Sequence, residues 1–233
     1  MDLNGKKILL TGGSSGIGKA TAEALIKAGA KVVITGRNRE KLEHVAQQIG
    51  AIPLHFDVSE YDSIPEMAAE AVAKMAGIDA LINNAGIGDF GLLENLSIDQ
   101  FERVFSVNVF GLALLTQEVA KFFKAQKHGS IINIASTAAT KGFAHGTVYA
   151  GSKFALRGMT QCWQQELRQY NIRVMLVNPS EVPTAFNQDD REERPQETSK
   201  LTPQEIAHSI VSMLSMDDRG FIPELTVWAT NPK

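Results

Sequence analysis

The chain carries one cysteine, Cys162, in 233 residues. A lone thiol can neither close an internal disulfide nor supply a thiolate zinc cage; Cys162 is expected to be an inert core group on its helix. Excess charge of one sign is also missing, because 23 basic and 26 acidic side chains leave a net charge of −3. Nucleic acids and anionic membranes are held by clustered excess cation, so neither is expected as a partner. No apolar run reaches the ~18 residues a membrane span takes. The run Ile8-Leu9-Leu10 near the start is too short for the core of an export signal, and a cytoplasmic location is expected. The five histidines show no metal-ligand spacing, so no metal is expected. Solenoid repeats and low-complexity tracts are absent as well. What remains is ordinary for a globular protein, with 44% hydrophobic and 21% charged residues. At roughly 150 residues per domain, the length favours one large domain.

Short β-branched runs alternate with segments of helical period. Ile8–Leu10, Val32–Ile34, Ile52–Phe56, Ala80–Ile82, Ile131–Ala135 and Val174–Val177 read as strands, and Leu225–Ala229 as a last one. Between them lie stripes such as Ile17, Ala20, Ala24, Leu25 and Ala28, closed by Gly29. The strands are apolar throughout rather than alternating, which two-sided burial demands. The pattern predicts an α/β fold: one doubly wound domain over residues 1–233, a seven-stranded parallel sheet with helices on both faces. Thr202, Pro203 and Glu205 form a capping box that opens the last helix. Residues 187–200 are charged and lack aliphatic side chains, so a loop within the domain is expected there, part of a substrate lid around 185–200. The segment Phe101–Phe123 is apolar nearly all round between Val104 and Leu115. A helix there has more than one face to bury, either in deep core or against a partner subunit.

After the first strand comes Thr11-Gly12-Gly13-Ser14-Ser15-Gly16-Ile17-Gly18. Glycines at a strand-to-helix turn let backbone approach a phosphate, and the helix N-terminus offers free N–H groups. A tight structural turn is the plainer reading of such a loop. Gly13, Gly18 and Lys19 nearly match a triphosphate P-loop, but that motif needs a hydroxyl next for magnesium, and Ala20 stands there. In dinucleotide sites an acidic residue ends the second strand and bonds the adenosine ribose. Here Gly36-Arg37-Asn38-Arg39 has no carboxylate before Glu40. A cation at that place suits a 2′-phosphate, which favours NADP (NADPH) and leaves NAD possible. Arg37 and Arg39 as mere solvated helix-start residues is the alternative.

Tyr149 and Lys153 lie four apart in a helical segment and share a face. A free tyrosine titrates near pH ~10. An ammonium at ~4 Å, at an effective dielectric of 20, supplies the ~4 kcal/mol needed to bring it near neutrality. Ser136, at the end of the fifth strand, offers a hydroxyl to a substrate oxygen. This set is the chemistry of a tuned acid–base.

With these motifs in place, the chain resembles the short-chain dehydrogenase/reductase family. The resemblance runs through the Thr11–Gly18 loop, Asp57, Asn83–Gly86, Asn108, Ser136, the Tyr149-x-x-x-Lys153 pair and Asn178-Pro179. It implies a Rossmann fold and hydride transfer between a nicotinamide cofactor and a small-molecule carbonyl or secondary alcohol. Catalytic roles are implied for Asn108, Ser136, Tyr149 and Lys153: Tyr149 moves the proton, Lys153 lowers its pKa and bonds the nicotinamide ribose, Ser136 orients the substrate oxygen, and Asn108 holds a water linked to Lys153. Cofactor contacts are implied for Gly12, Ser14, Ser15, Gly16, Ile17, Gly18, Arg37, Asp57, Val58, Asn84, Ala85, Gly86, Tyr149, Lys153, Pro179, Val182 and Thr184. The family's habit also implies a homodimer or homotetramer through the long helix. Two departures stand out: Ser180 replaces a usual glycine, and Ser15 stands where many NADP-using members have a basic residue. An NAD-dependent alcohol dehydrogenase and a non-catalytic dinucleotide sensor are the alternatives. For the substrate, Phe143 and Phe186 point to an apolar contact while Glu181 points to a polar one.

Overall fold

The computed structural model describes residues 2–186 and 193–232. Each apolar run becomes a strand: β1 (Lys7–Leu10), β2 (Lys31–Gly36), β3 (Ile52–His55), β4 (Ala80–Asn83), β5 (Gly129–Ile134), β6 (Ile172–Pro179) and β7 (Glu224–Val227). The main helices are α1 (Gly16–Lys27), α2 (Arg39–Ile49), α3 (Ile64–Met75), α4 (Ile98–Phe105), α5 (Leu112–Gln126), α6 (Thr147–Leu167) and α7 (Pro203–Leu214). The strands form one parallel sheet in the order β3-β2-β1-β4-β5-β6-β7. The order reverses between β1 and β4, and a crevice opens beyond the carboxyl ends of the strands at such a switch point.

Successive strand residues point to opposite faces, and both faces are buried. Ile8 and Leu10 pack with Leu25 of α1, Leu42 of α2 and Ile206 of α7. Leu9, between them, packs on the other side with Met67 of α3 and Leu115 of α5. Local signals set the helix ends. Asn38 accepts from the Lys41 N–H to start α2, and Gly50 ends it at φ 78°. The capping box of Thr202 and Glu205 opens α7 as the sequence indicates.

The segment from Ile98 to Gln126 departs from a plain helix. Between α4 and α5 it widens into a π-helical turn over Ser106–Gly111. Gly111 is forced there by close approach, since a Cβ on it would stand 1.9 Å from the Val58 carbonyl oxygen. Val107, Val109, Leu115 and Val119 are core, while Phe110 and Leu114 are exposed. Cys162 also departs from expectation. It lies on α6 but is exposed. Among the described residues no helix is long and apolar enough to cross a membrane.

Candidate active site

A cleft of about 1240 Å³ lies across the carboxyl ends of the strands. At one end the chain leaves β1 through the glycine loop and turns into α1. Gly18 is required by packing, because a Cβ on it would sit 2.1 Å from the Gly12 carbonyl oxygen. The loop is braced from β4: the Asn84 side chain donates to the carbonyls of Thr11 (2.9 Å) and Gly12 (3.0 Å). In return the Thr11 hydroxyl accepts from the N–H groups of Asn84 and Ala85, each at 3.0 Å.

The N-terminus of α1 already holds an anion. The Glu193 carboxylate accepts from the Gly16 N–H (2.6 Å) and, through its other oxygen, from the Ala185 N–H (3.0 Å). Next to it, Arg194 donates to the Thr184 carbonyl at 3.2 Å. A carboxylate on a helix N-terminus is the arrangement that also binds phosphate. The loop therefore fits the diphosphate of a dinucleotide. Residues 187–192 of the expected lid lie outside the described residues; Glu193 reaches Gly16 of the cofactor loop and Arg194 reaches Thr184.

At the end of β2, Arg37 is half exposed and stands 3.8 Å from the Asp57 carboxylate. Asp57 also accepts from the Ser59 N–H (2.9 Å) and hydroxyl (2.7 Å), so it shapes the turn after β3 as well as facing the cleft. Asn38 and Lys41 line the same end. Lys41 was missed in the sequence because it falls inside α2 and reaches the cleft only through the way the helix sits.

At the other end, β5 delivers Ser136 and α6 delivers Tyr149 and Lys153 to one wall. Lys153 is buried, 5% exposed, and its ammonium donates to the Ile134 carbonyl at 3.0 Å. Burial pulls its pKa down to about 8. The same ammonium lies 5.7 Å from the centre of the Tyr149 ring. Burial pushes the Tyr149 phenol up to about 12, and a hydrogen bond with Ser136 pulls the other way by less. This direction is opposite to the lowering expected from the sequence, and its cause is desolvation of the phenolate.

Every residue named above for the cofactor, together with Ser136, lines this cleft. Asn108 is placed differently. It is fully buried behind the wall, where its side chain accepts from the Ile87 N–H (2.9 Å) and donates to the Ile87 carbonyl (2.9 Å) and the Ser152 hydroxyl (3.0 Å). It fixes the backbone after β4 rather than its own helix. A Cβ on Gly86 would stand 3.4 Å from the Asn108 Oδ1 and 3.6 Å from the Lys153 Nζ. Among the described residues no group of three or more acidic, histidine or cysteine side chains is placed to hold a metal ion.

Comparison with known proteins is consistent with this geometry. Residues 6–195 match the family described as short chain dehydrogenase. An NADP-dependent 3-hydroxy acid dehydrogenase of Schizosaccharomyces pombe is 32% identical, over 98% of this chain and 94% of that protein. A 3-oxoacyl-acyl-carrier-protein reductase of Thermotoga maritima is 33% identical, over 95% of each. An alcohol dehydrogenase from the archaeon Thermococcus sibiricus, solved in complex with 5-hydroxy-NADP, superposes with a TM-score of 0.90 at 26% identity, over 98% of both chains.

Proposed function

The chain belongs to the short-chain dehydrogenase family and is an oxidoreductase acting with NAD(P), and from that premise we propose that it interconverts a ketone or aldehyde and its alcohol with NADP(H). The observation that carries this reading is the convergence of Ser136, Tyr149 and Lys153 on one wall of a cleft whose far end is an anion-binding glycine loop. When bound, the nicotinamide supplies or accepts the hydride. The chain's own residues handle the proton and the orientation. Tyr149, with its pKa pushed up to about 12, carries its proton at neutral pH and donates it to the carbonyl oxygen as that oxygen gains charge. Lys153 stabilises the phenolate that forms, which requires its ammonium form. Ser136 donates to the same substrate oxygen and holds it against the phenol. Asn108 acts as a positioning residue through Ile87 and Ser152.

NADP is preferred over NAD in this reading for two reasons. Gly36 ends β2 without a carboxylate, and Arg37 and Lys41 line the adenosine end. The fission-yeast relative is named NADP-dependent and the archaeal neighbour holds an NADP derivative. We also propose a homodimer or homotetramer, since Phe110, Leu114 and Phe154 leave apolar surface on α6 and the α4–α5 segment uncovered, and keep the cytoplasmic location expected from the sequence. The mechanism is tested by Tyr149→Phe. NADPH-linked ketone reduction should fall by about 10²–10⁴-fold, with NADPH affinity, read from its fluorescence, within about twofold. Near-normal turnover would overturn the role given to Tyr149.

A further inference from the structure

Three phenylalanines from three separate crossover loops meet at the substrate end of the cleft. Phe90 follows β4, Phe143 follows β5 and Phe186 follows β6, and all three line the cleft. Phe90 stands 5.5 Å from the Tyr149 ring and Phe186 stands 5.6 Å from it, both tilted, so the two flank the phenol. Phe143 extends this wall outward, 6.1 Å from Phe90. Two of the rings remain open to solvent, Phe90 at 39% and Phe143 at 50%.

The rings are seated on glycines. A Cβ on Gly88 would stand 2.9 Å from Phe90 and 3.1 Å from Phe186, and one on Gly146 would stand 2.6 Å from Phe143. Each ring lies against a backbone that has no side chain to hold it away. Two of the charged groups nearby are engaged within the protein, while Lys141 lines the cleft beside Phe143. Glu181 is paired with Lys200 at 2.6 Å, and Arg194 donates to the Thr184 carbonyl. The polar signal that Glu181 gives in the sequence is therefore answered within the protein.

We infer that the substrate is a ketone bearing an aryl group on the carbonyl carbon, packed against the wall of Phe90, Phe143 and Phe186 with its oxygen at Tyr149 and Ser136. This rests on the carbonyl-reductase reading above. Aromatic rings prefer tilted or offset neighbours at centroid distances of about 4.5–7 Å, the range in which these side chains already stand. A 3-oxo acid with a short alkyl chain has no ring to make these contacts.

The test compares acetophenone, acetoacetate and butanone as substrates with NADPH, after NADPH binding has been established by fluorescence. Acetophenone is expected to exceed acetoacetate in kcat/KM by at least about tenfold, the size of a well-placed ring contact. Phe90→Leu and Phe186→Leu keep apolar bulk and, whatever each does through its contact with Tyr149, should lower the ratio of acetophenone to butanone kcat/KM by about three- to tenfold. Gly88→Ala, which lifts both rings without removing them, should act in the same direction. Equal or better use of acetoacetate, or no change in the leucine variants, overturns the inference and leaves the reductase reading intact. Protein that binds NADPH but reduces none of the three ketones defeats the reductase reading itself. Saturation-transfer NMR on the NADPH-loaded protein then decides the aryl preference separately, and acetophenone binding no better than acetoacetate overturns it.

Discussion

The two ends of the cleft are built in different ways. The cofactor end consists mainly of backbone: the Gly12–Gly18 turn, the N-terminus of α1 and the carbonyls braced by Asn84. Its parts are neighbours in the chain, and its tolerance is small because a single Cβ on Gly18 has no room. The substrate end consists of side chains, Phe90, Phe143 and Phe186, brought from loops far apart in the chain and still partly open to solvent. A diphosphate offers the same atoms in every dinucleotide, so fixed N–H groups suffice for it. A substrate has to be told from others by shape, and side chains on exchangeable loops do that. The catalytic wall lies between the two ends, on the regular structure of β5 and α6, where its geometry is most rigid.

This contrast is broken most severely at the backbone end. Gly18→Ala is expected to lower NADPH affinity by about a hundredfold or more and to destabilise the fold by about 1–3 kcal/mol, the usual effect of overpacking a tight site; fluorescence titration and thermal melting read both. Arg37→Asp acts on a side chain at the same end. It should weaken NADPH by about ten- to a hundredfold, the value of a charge-assisted contact, with NADH changed only a few fold. If both cofactors weaken alike, Arg37 serves Asp57 and the turn rather than a 2′-phosphate.

The catalytic wall is probed by pH. Lys153 is needed charged and its pKa is about 8, so reductive kcat/KM should fall above that value, by about tenfold per unit once the group is deprotonated. Stability should move in the opposite sense. Lys153 binds its proton less tightly folded than unfolded, so from about 8 to the ordinary 10.5 the unfolded chain holds more protons and this group's contribution rises with pH. Urea melts across that range, run beside rate profiles, separate the two trends. Parallel loss of both would mean that general unfolding, not Lys153, sets the activity limb. The smallest expected effect belongs to Glu193, which occupies the anion position on Gly16. Glu193→Gln removes a competing charge and should tighten NADPH by about two- to fivefold, consistent with a partly exposed helix-terminus interaction. Weaker binding in that variant would make Glu193 a support of the bound state instead of a stand-in for phosphate.

Much of this was legible in the chain before any coordinates. The strand runs, the glycine loop and the four-residue step from Tyr149 to Lys153 are local patterns, and helical and strand periods turn local spacing into shared faces. Asp57, Ala85 and Thr184 were reachable only by resemblance, since each is an ordinary loop residue by itself. Lys41, Phe90 and Glu193 gave no signal, because each acquires its place from the way distant segments pack. Cys162 was misplaced because α6 turns an exposed face at that position.

The sequence alone determined the sheet, the direction of its strands, and which groups are available to bind a dinucleotide and move a proton. Only the tertiary structure decided their electrostatics and their company. Desolvation raises the Tyr149 phenol where the neighbouring ammonium alone predicted a fall. The aromatic wall exists because three crossover loops end above the same strand tips. Burial and long-range contact are sums over the whole packed molecule, and no local run of residues contains them.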